Sequence, residues 1–336
     1  MSPAPEARPS NARFLITGAK GFIGAWVVKN LVERGDRALV LDVDTQAHRL
    51  QALLSDEQMA CVQFVQGDVT TFDDVDRCVA ENGITHIIHL AALQVPACAT
   101  DPILGAKVNV LGTLNVFAVA RRRRNLVRRI AYASSAAVFG PEEFYGGGTV
   151  PEGAQLLPGT HYGVFKQCNE GNARVYYLND GISSVGLRAW AVYGVGRDQG
   201  ITSGPTKAIK ASVLGRPYTL KFTGQIDLQY VDDCARIFLR CAEEDLPGAR
   251  TYTLRGTVVN IEGFIATLEK VYPQSRGLIR AEGKPLPIAA DLDDSALVRD
   301  LGNVPRTPLD EGIQKTVKIF ERLQREGRLE TKDLDQ

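Results

Sequence analysis

Net charge is what this chain lacks: 39 Lys and Arg balance 39 Asp and Glu over 336 residues. Without a bulk field there is nothing to draw the protein to nucleic acid or a charged membrane surface, and neither is expected as a partner. The run Arg121–Arg124, continued by Arg128 and Arg129, is the local exception. Cations suit a helix C-terminus, so the run reads as a solvated helix end. Paired cysteines are lacking too. Six Cys lie scattered with no CxxC spacing, which argues against a disulfide framework or a zinc site and for free thiols in a reducing, cytoplasmic setting. His86 and His89 fall in a buried strand pattern, and no metal site is expected. No apolar run approaches the length of about 18 residues that marks a membrane span. The opening "MSPAPEARPSNA" has no apolar core of a signal peptide, and residues 1–11 read as a disordered tail. There are no internal repeats, and no low-complexity segment beyond that tail.

What is present is an alternation. Hydrophobic residues make up 44% of the chain, enough for a substantial core. The runs "ARFLITG", "RALVLDVD", "CVQFVQGDV", "THIIHLAA" and "RIAYASS" read as buried strands, and amphipathic stretches separate them. Continuous apolar strands joined by helices imply βαβ units and a parallel sheet covered on both faces. The expected fold class is therefore α/β, a Rossmann-like doubly wound sheet with ligands at the carboxyl ends of its strands. Two long helices are expected at about Leu104–Arg124 and Thr160–Asn179. After "SSVGLRAWAVYG" short strands and helices mix irregularly, and a charged final helix begins near Pro308. The expected organisation is a dinucleotide-binding domain over residues 12–187 and a smaller substrate-binding region over 188–330, some of whose segments return to the main sheet.

"TGAKGFIG" sets Gly18, Gly21 and Gly24 between the first strand and the first helix. Small residues there let backbone N–H groups, including those of Phe22 and Ile23, approach a pyrophosphate at the helix N-terminus. Asp42 closes the second strand, 18 residues after Gly24. An acid at that place accepts from an adenosine ribose and repels a 2′-phosphate, which favours NAD over NADP. Asp44 is an alternative ribose ligand, and Arg49 leaves NADP open. "HYGVFK" places Tyr162 and Lys166 four apart, on one side of a helix.

Taken in order, "TGAKGFIG", Asp42, "GDVT", "HLAA", "VNVLGTLNV", "YASSAAVFG", "YGVFK", "LRAWAVYG" and "YVDDCAR" resemble the extended short-chain dehydrogenase/reductase family, also called the NAD-dependent epimerase/dehydratase family. The resemblance runs from about residue 12 to 245. It implies an enzyme with NAD as cofactor and with Ser135, Tyr162 and Lys166 as its catalytic residues. Tyr162 is the implied general base, Ser135 holds the reacting oxygen, and Lys166 tunes the phenol and binds the nicotinamide ribose. A neighbouring ammonium favours the phenolate. The resemblance further implies Asp68 and Val69 at the adenine, Leu90, Ala91 and Ala92 beside the nicotinamide ribose, and Asn109 as a support of the site. It also implies a homodimer through the two long helices. A non-catalytic dinucleotide sensor is a rival on the same scaffold, but such proteins commonly lack the tyrosine or the lysine.

The pattern breaks where relatives hold a nucleoside diphosphate. "LRAWAVYGVG" has Ala191 and Val195 in place of the family's Asn and Pro, and "QIDLQYVDD" has Ile226 in place of its Arg. Neither Ala nor Ile replaces a guanidinium fork. A small-molecule substrate without a nucleotide is therefore expected: a sugar, sugar acid, polyol or hydroxy acid oxidised at a secondary hydroxyl. Gln94, Ser135, Ala136, His161 and Arg197 are candidate substrate contacts. Diphosphate ligands from Arg197, Lys207 or Arg216, and an epimerase with no net redox change, stay open. Cys98 and Cys168 lie near the expected cleft without a paired base.

Overall fold

The five strand runs, with a sixth from "SSVGLRAWAVYG", become six parallel strands in a computed structural model that describes residues 12–335. The expected tail at 1–11 lies outside the described residues. The strands are β1 (Phe14–Thr17), β2 (Ala38–Asp42), β3 (Val62–Gln66), β4 (His86–His89), β5 (Arg129–Ser135) and β6 (Ser184–Ala189). Shorter strands follow: β7 (Ala191–Tyr193), β8 (Tyr218–Leu220), β9 (Gln225–Tyr230), β10 (Ala249–Thr253), β11 (Thr257–Asn260) and β12 (Ile279–Ala281). The main sheet has seven strands in the order β10-β6-β5-β4-β1-β2-β3. Thr17 of β1 lies level with Leu41 on one side and His89 on the other. The chain reverses its winding between β1 and β4, which opens a crevice at their carboxyl ends. β3 is an edge strand with only Val62 buried, so its run is less enclosed than its composition suggests.

The helices that matter here are α1 (Phe22–Glu33), α2 (Phe72–Asn82), α3 (Pro102–Arg122), α4 (His161–Asp180), α5 (Gly204–Val213), α6 (Val231–Glu243) and α7 (Leu309–Arg325). They cover both faces of the sheet. Ile16, Val40 and Ile88 pack with Trp26 of α1 and Phe238 of α6. Leu15, Leu39 and Ile87 pack with Val75 of α2 and Phe117 of α3. The boundary expected at residue 187 falls inside β6, and β10 returns to pair with it in parallel. α6 lies on α1, tied by Asn30 Nδ2 donating 2.8 Å to Asp232 Oδ1. The substrate side carries two small sheets, β11-β9-β7 and β12-β8.

Two expectations gain detail in the fold. Pro102–Arg122 is 21 residues long with a mean hydropathy of 1.6 over its most apolar 18-residue window, long and apolar enough to cross a membrane by length and composition alone. A search for unbroken apolar letters misses it because Lys107, Asn109 and Asn115 interrupt the run. In the fold it packs between α2 and α4. The arginine run is solvated about the helix end as expected at Arg121, Arg122, Arg124 and Arg128, but not throughout. Arg123 grips Asp76 through two bonds of 2.7 and 2.8 Å, and Arg129 is buried with Nη1 donating 2.5 Å to Leu246 O.

Candidate active site

The glycine turn is shaped by close approach. Gly18 has φ +69°, and a Cβ there would sit 2.6 Å from Ala91 N and Cα. A Cβ on Gly24 would sit 2.6 Å from Ala19 Cα, so α1 packs directly on the backbone of the turn that precedes it. Gly21 caps α1 and offers no side-chain acceptor. The N–H groups of the first turn, at Phe22, Ile23 and Gly24, are therefore left to a ligand, with the positive end of the helix dipole behind them. Both oxygens of Asp42 are oriented by backbone, Oδ2 accepting from Lys20 N at 3.0 Å and Oδ1 from Asp44 N at 3.1 Å. Each keeps a lone pair for a ribose hydroxyl. Arg49 is committed elsewhere. It donates to Gly196 O, to Lys20 O and twice to Asp198, which leaves it no fork for a 2′-phosphate.

This turn forms one end of a cleft of about 600 Å3. Its wall includes Gly18, Gly21, Phe22, Ile23, Gly24, Asp42, Asp68, Val69, Leu90, Ala91 and Ala92, which with Tyr162 and Lys166 make the set expected to hold the cofactor. Asp68 Oδ1 accepts from Thr70 N at 2.8 Å. Leu90 N donates 3.0 Å to Thr17 O, which fixes the end of β4 beside the turn. The glycine cradle, the open helix end and the oriented acid suit a dinucleotide.

At the other end Ser135, Tyr162 and Lys166 converge on the same cleft. Ser135 ends β5, where its Oγ accepts from Ala137 N at 3.1 Å. Tyr162 and Lys166 occupy the first turns of α4, which Thr160 caps by accepting from Gly163 N. A Cβ on Gly163 would collide with Ala137 O. This glycine is what lets α4 dock on the turn after Ser135. Ser135 lies near enough to the phenol to lower its pKa. Lys166 Nζ donates 2.7 Å to Ala133 O and stands 5.5 Å from the Tyr162 ring centroid.

The electrostatics differ from expectation. Burial raises the Tyr162 pKa, outweighing the lowering by the Ser135 hydroxyl and the Arg197 charge. Burial also pushes Lys166 down to about 8. The ammonium is held under the ring by a backbone carbonyl, so the lowering charge felt by the phenol comes from Arg197.

A buried polar chain supports this arrangement. His89 links Thr17 Oγ1 at 2.7 Å to Thr113 Oγ1 at 3.0 Å, and burial pushes its pKa down to about 3, which keeps it neutral. Thr113 Oγ1 donates 2.7 Å to Asn109 O, and Asn169 of α4 donates to both. Asn109 lies in a π-helical segment of α3, Lys107–Leu111, and its side chain clamps Leu93 N and O at 2.7 and 2.9 Å. Asn109 thus acts through the backbone. Cys98 is buried against Asn109, and burial raises its thiol pKa. Ser134 Oγ donates 2.6 Å to Glu170, which pairs with Arg188 through 2.7 and 2.8 Å bonds.

On the substrate side Gln94, Ala136 and Arg197 line the cleft as expected. His161 does not. It is exposed and stacks on Phe165 with centroids 6.1 Å apart, because it points out from the first turn that turns Tyr162 inward. Cys168 is also exposed on the outer side of α4. Sequence reasoning missed Trp190, Ile201, Thr202 and the segment Leu286–Ile288, all in the cleft wall. Trp190 Nε1 donates 2.8 Å to Ala289 O, which ties that distant segment to the site. Nothing in local spacing announces a segment nearly 100 residues downstream.

A family model described as the NAD dependent epimerase/dehydratase family matches residues 14–254. UDP-glucose 4-epimerase of Mycolicibacterium smegmatis is 28% identical over 321 residues, 92% of this chain and 98% of that protein. Among solved structures, a partial consensus L-threonine 3-dehydrogenase aligns with TM-score 0.80 and 25% identity, covering 92% of this chain and 99% of the other. The GalE-like L-threonine dehydrogenase of Cupriavidus necator aligns with TM-score 0.78 and 25% identity, covering 91% and 99%.

Proposed function

Because the chain belongs to the NAD-dependent epimerase/dehydratase family, we propose that it oxidises a secondary hydroxyl of a small, nucleotide-free substrate, with Tyr162 as general base. The observation that carries this reading is the meeting of Ser135, Tyr162 and Lys166 in one cleft with the glycine turn. NAD, when bound, supplies the hydride acceptor and a positive ring beside the phenol. Ser135 holds the substrate oxygen, its own Oγ fixed by Ala137 N. Tyr162 takes the hydroxyl proton as the same carbon gives up hydride, so the alcohol becomes a carbonyl. Lys166 would hold the ribose hydroxyls of the bound dinucleotide.

The absence of a nucleotide from the substrate is supported by where the cations lie. Ala191 and Ile226 are fully buried and Val195 nearly so. Arg216 pairs with Asp335, and neither it nor Lys207 is part of the cleft wall, so a diphosphate finds no fork from them. L-threonine, named in the solved dehydrogenases, is a hydroxy compound of the size proposed. Epimerisation is the second reading, favoured by the epimerase relative that spans 92% of the chain.

NADH absorbance separates the two when the protein and NAD are mixed with free sugars, sugar acids, polyols, hydroxy acids and UDP-glucose. Stoichiometric NADH from a nucleotide-free compound is expected. Conversion of UDP-glucose without NADH would give the site to epimerisation. We also infer a homodimer through the outer faces of α3 and α4, where Ile103, Leu104, Val164, Val175 and Leu178 stand exposed.

A further inference from the structure

Arg197 is a guanidinium of the cleft wall with, among the described residues, no carboxylate hydrogen-bonded to it. Arg197 Nη2 donates 2.8 Å to Thr202 Oγ1, a neutral acceptor, and its Nε is buried with no hydrogen-bond partner. Its chain neighbour Asp198 is taken by Arg49. Among the described residues no carboxylate forms an ion pair with Arg197. The side chain lies over the Phe22 ring, 5.8 Å from the centroid, and keeps part of its surface on the cleft. Desolvating a guanidinium while leaving an N–H unpaired is costly unless a ligand completes it. Burial lowers its pKa, outweighing the opposing influence of Tyr162 and Asp198.

The loop around it is built for access. Gly200 has φ +89°, and a Cβ there would collide with Gln94 Oε1 and meet Arg197 Nη2 at 3.3 Å. The loop therefore passes close under both side chains, bringing an amide and a guanidinium to one spot. The charge of Arg197 also reaches the Tyr162 phenol, so anchor and base face a common space. Of the three cations that were candidates for a diphosphate, Arg197 alone reaches the cleft wall. One fork matches one carboxylate in charge and geometry.

We propose that Arg197 anchors a carboxylate of the substrate, which makes the substrate a hydroxy acid or sugar acid. The proposal rests on the nucleotide-free reading of the same site, and it names the group by which that substrate is recognised. Arg197 then acts as a specificity residue, with Gln94 beside it as a second polar contact.

The test uses matched pairs: gluconate against sorbitol, galacturonate against galactose, and 3-hydroxybutyrate against 2-butanol. Each is titrated by calorimetry into the NAD-loaded Tyr162→Phe protein, so that binding is read without turnover, and NADH formation is followed in the wild type. At least one acid should bind about tenfold or more tightly than its neutral partner. Adding Arg197→Gln should erase that difference, a loss of about 10- to 100-fold, with NAD affinity within about twofold of the parent. Arg197→Lys keeps the charge without the fork and should fall between the two, which serves if Arg197→Gln does not fold. Acids binding no better than neutral partners, or a preference that survives Arg197→Gln, would overturn the anchor. So would UDP-glucose binding more tightly than every small acid. Arg197-dependent binding of acids without NADH would uphold the anchor and sink the oxidation. NADH formed equally from acids and neutral partners would do the reverse.

Discussion

Lys166 is a buried ammonium in the first turns of a helix, and its titration can be read in stability. Its pKa is about 8 in the fold against 10.5 ordinarily. Below pH 8 the lysine is charged in both folded and unfolded chains, and the fold bears the full desolvation cost. Between pH 8 and 10.5 the unfolded chain binds more protons, so this contribution to stability rises with pH. In the cofactor-free protein, denaturant midpoints should therefore show a rise over that window that Lys166→Met lacks. For the chemistry, Tyr162→Phe should lower NADH formation by about 10²- to 10⁴-fold and leave NAD affinity within about twofold. A smaller loss would move the base elsewhere. Ser135, Tyr162 and Lys166 were named through the family resemblance, since the four-residue spacing of Tyr162 and Lys166 shows only a shared helix side and nothing local singles out Ser135. His89, Thr113 and Asn169 were not legible, because their hydrogen bonds join residues up to 72 positions apart, and no local pattern encodes such a link. His161 was misjudged since adjacency to Tyr162 places it about 100° away around the helix.

A helix is positioned by what it lacks as much as by what it presents. α4 can bring Tyr162 to Ser135 only because Gly163 leaves the space filled by Ala137 O and Pro158 Cβ, the latter 2.8 Å from where a Cβ would be. Gly163→Ala should destabilise the protein by about 1–3 kcal/mol, read from urea midpoints. It should also lower turnover by about 100-fold as the tyrosine shifts. Unchanged turnover would show that the docking of α4 is not what sets the geometry. The expected helices at 104–124 and 160–179 lie within two residues of those observed, since apolar periodicity and the Thr160 cap are local signals. The π-helical segment at Lys107–Leu111 was hidden. Its extra residue per turn answers to Asn109 and Gly105 packing on α4, a tertiary demand.

At the level of the whole molecule, the exposed stripe on α3 and α4 is the surface most in need of a partner. Ile103 and Leu178 are 83% and 69% exposed, and Val164, Gly171, Val175 and Leu178 follow one another at heptad-like intervals along α4. Light scattering should give twice the chain mass for the wild type, and the double variant Ile103→Glu, Leu178→Glu should give a monomer. A wild-type monomer would remove the dimer and leave the cleft untouched. The doubly wound sheet was legible from its strand runs, and so was a return of later segments to it; which segment returns, β10 beside β6, was not, because a pairing between strands about 65 residues apart leaves no local pattern.

That return of β10 bears on how the protein comes into being. A chain growing from its N-terminus will have made β1 to β6 long before residues 231–253 exist, and until then β6 offers an open edge and α1 an uncovered flank. Maturation must wait for the late segments. A truncated product ending at residue 200 should be digested through its first six strands, whereas one extending to residue 260 should resist the same protease.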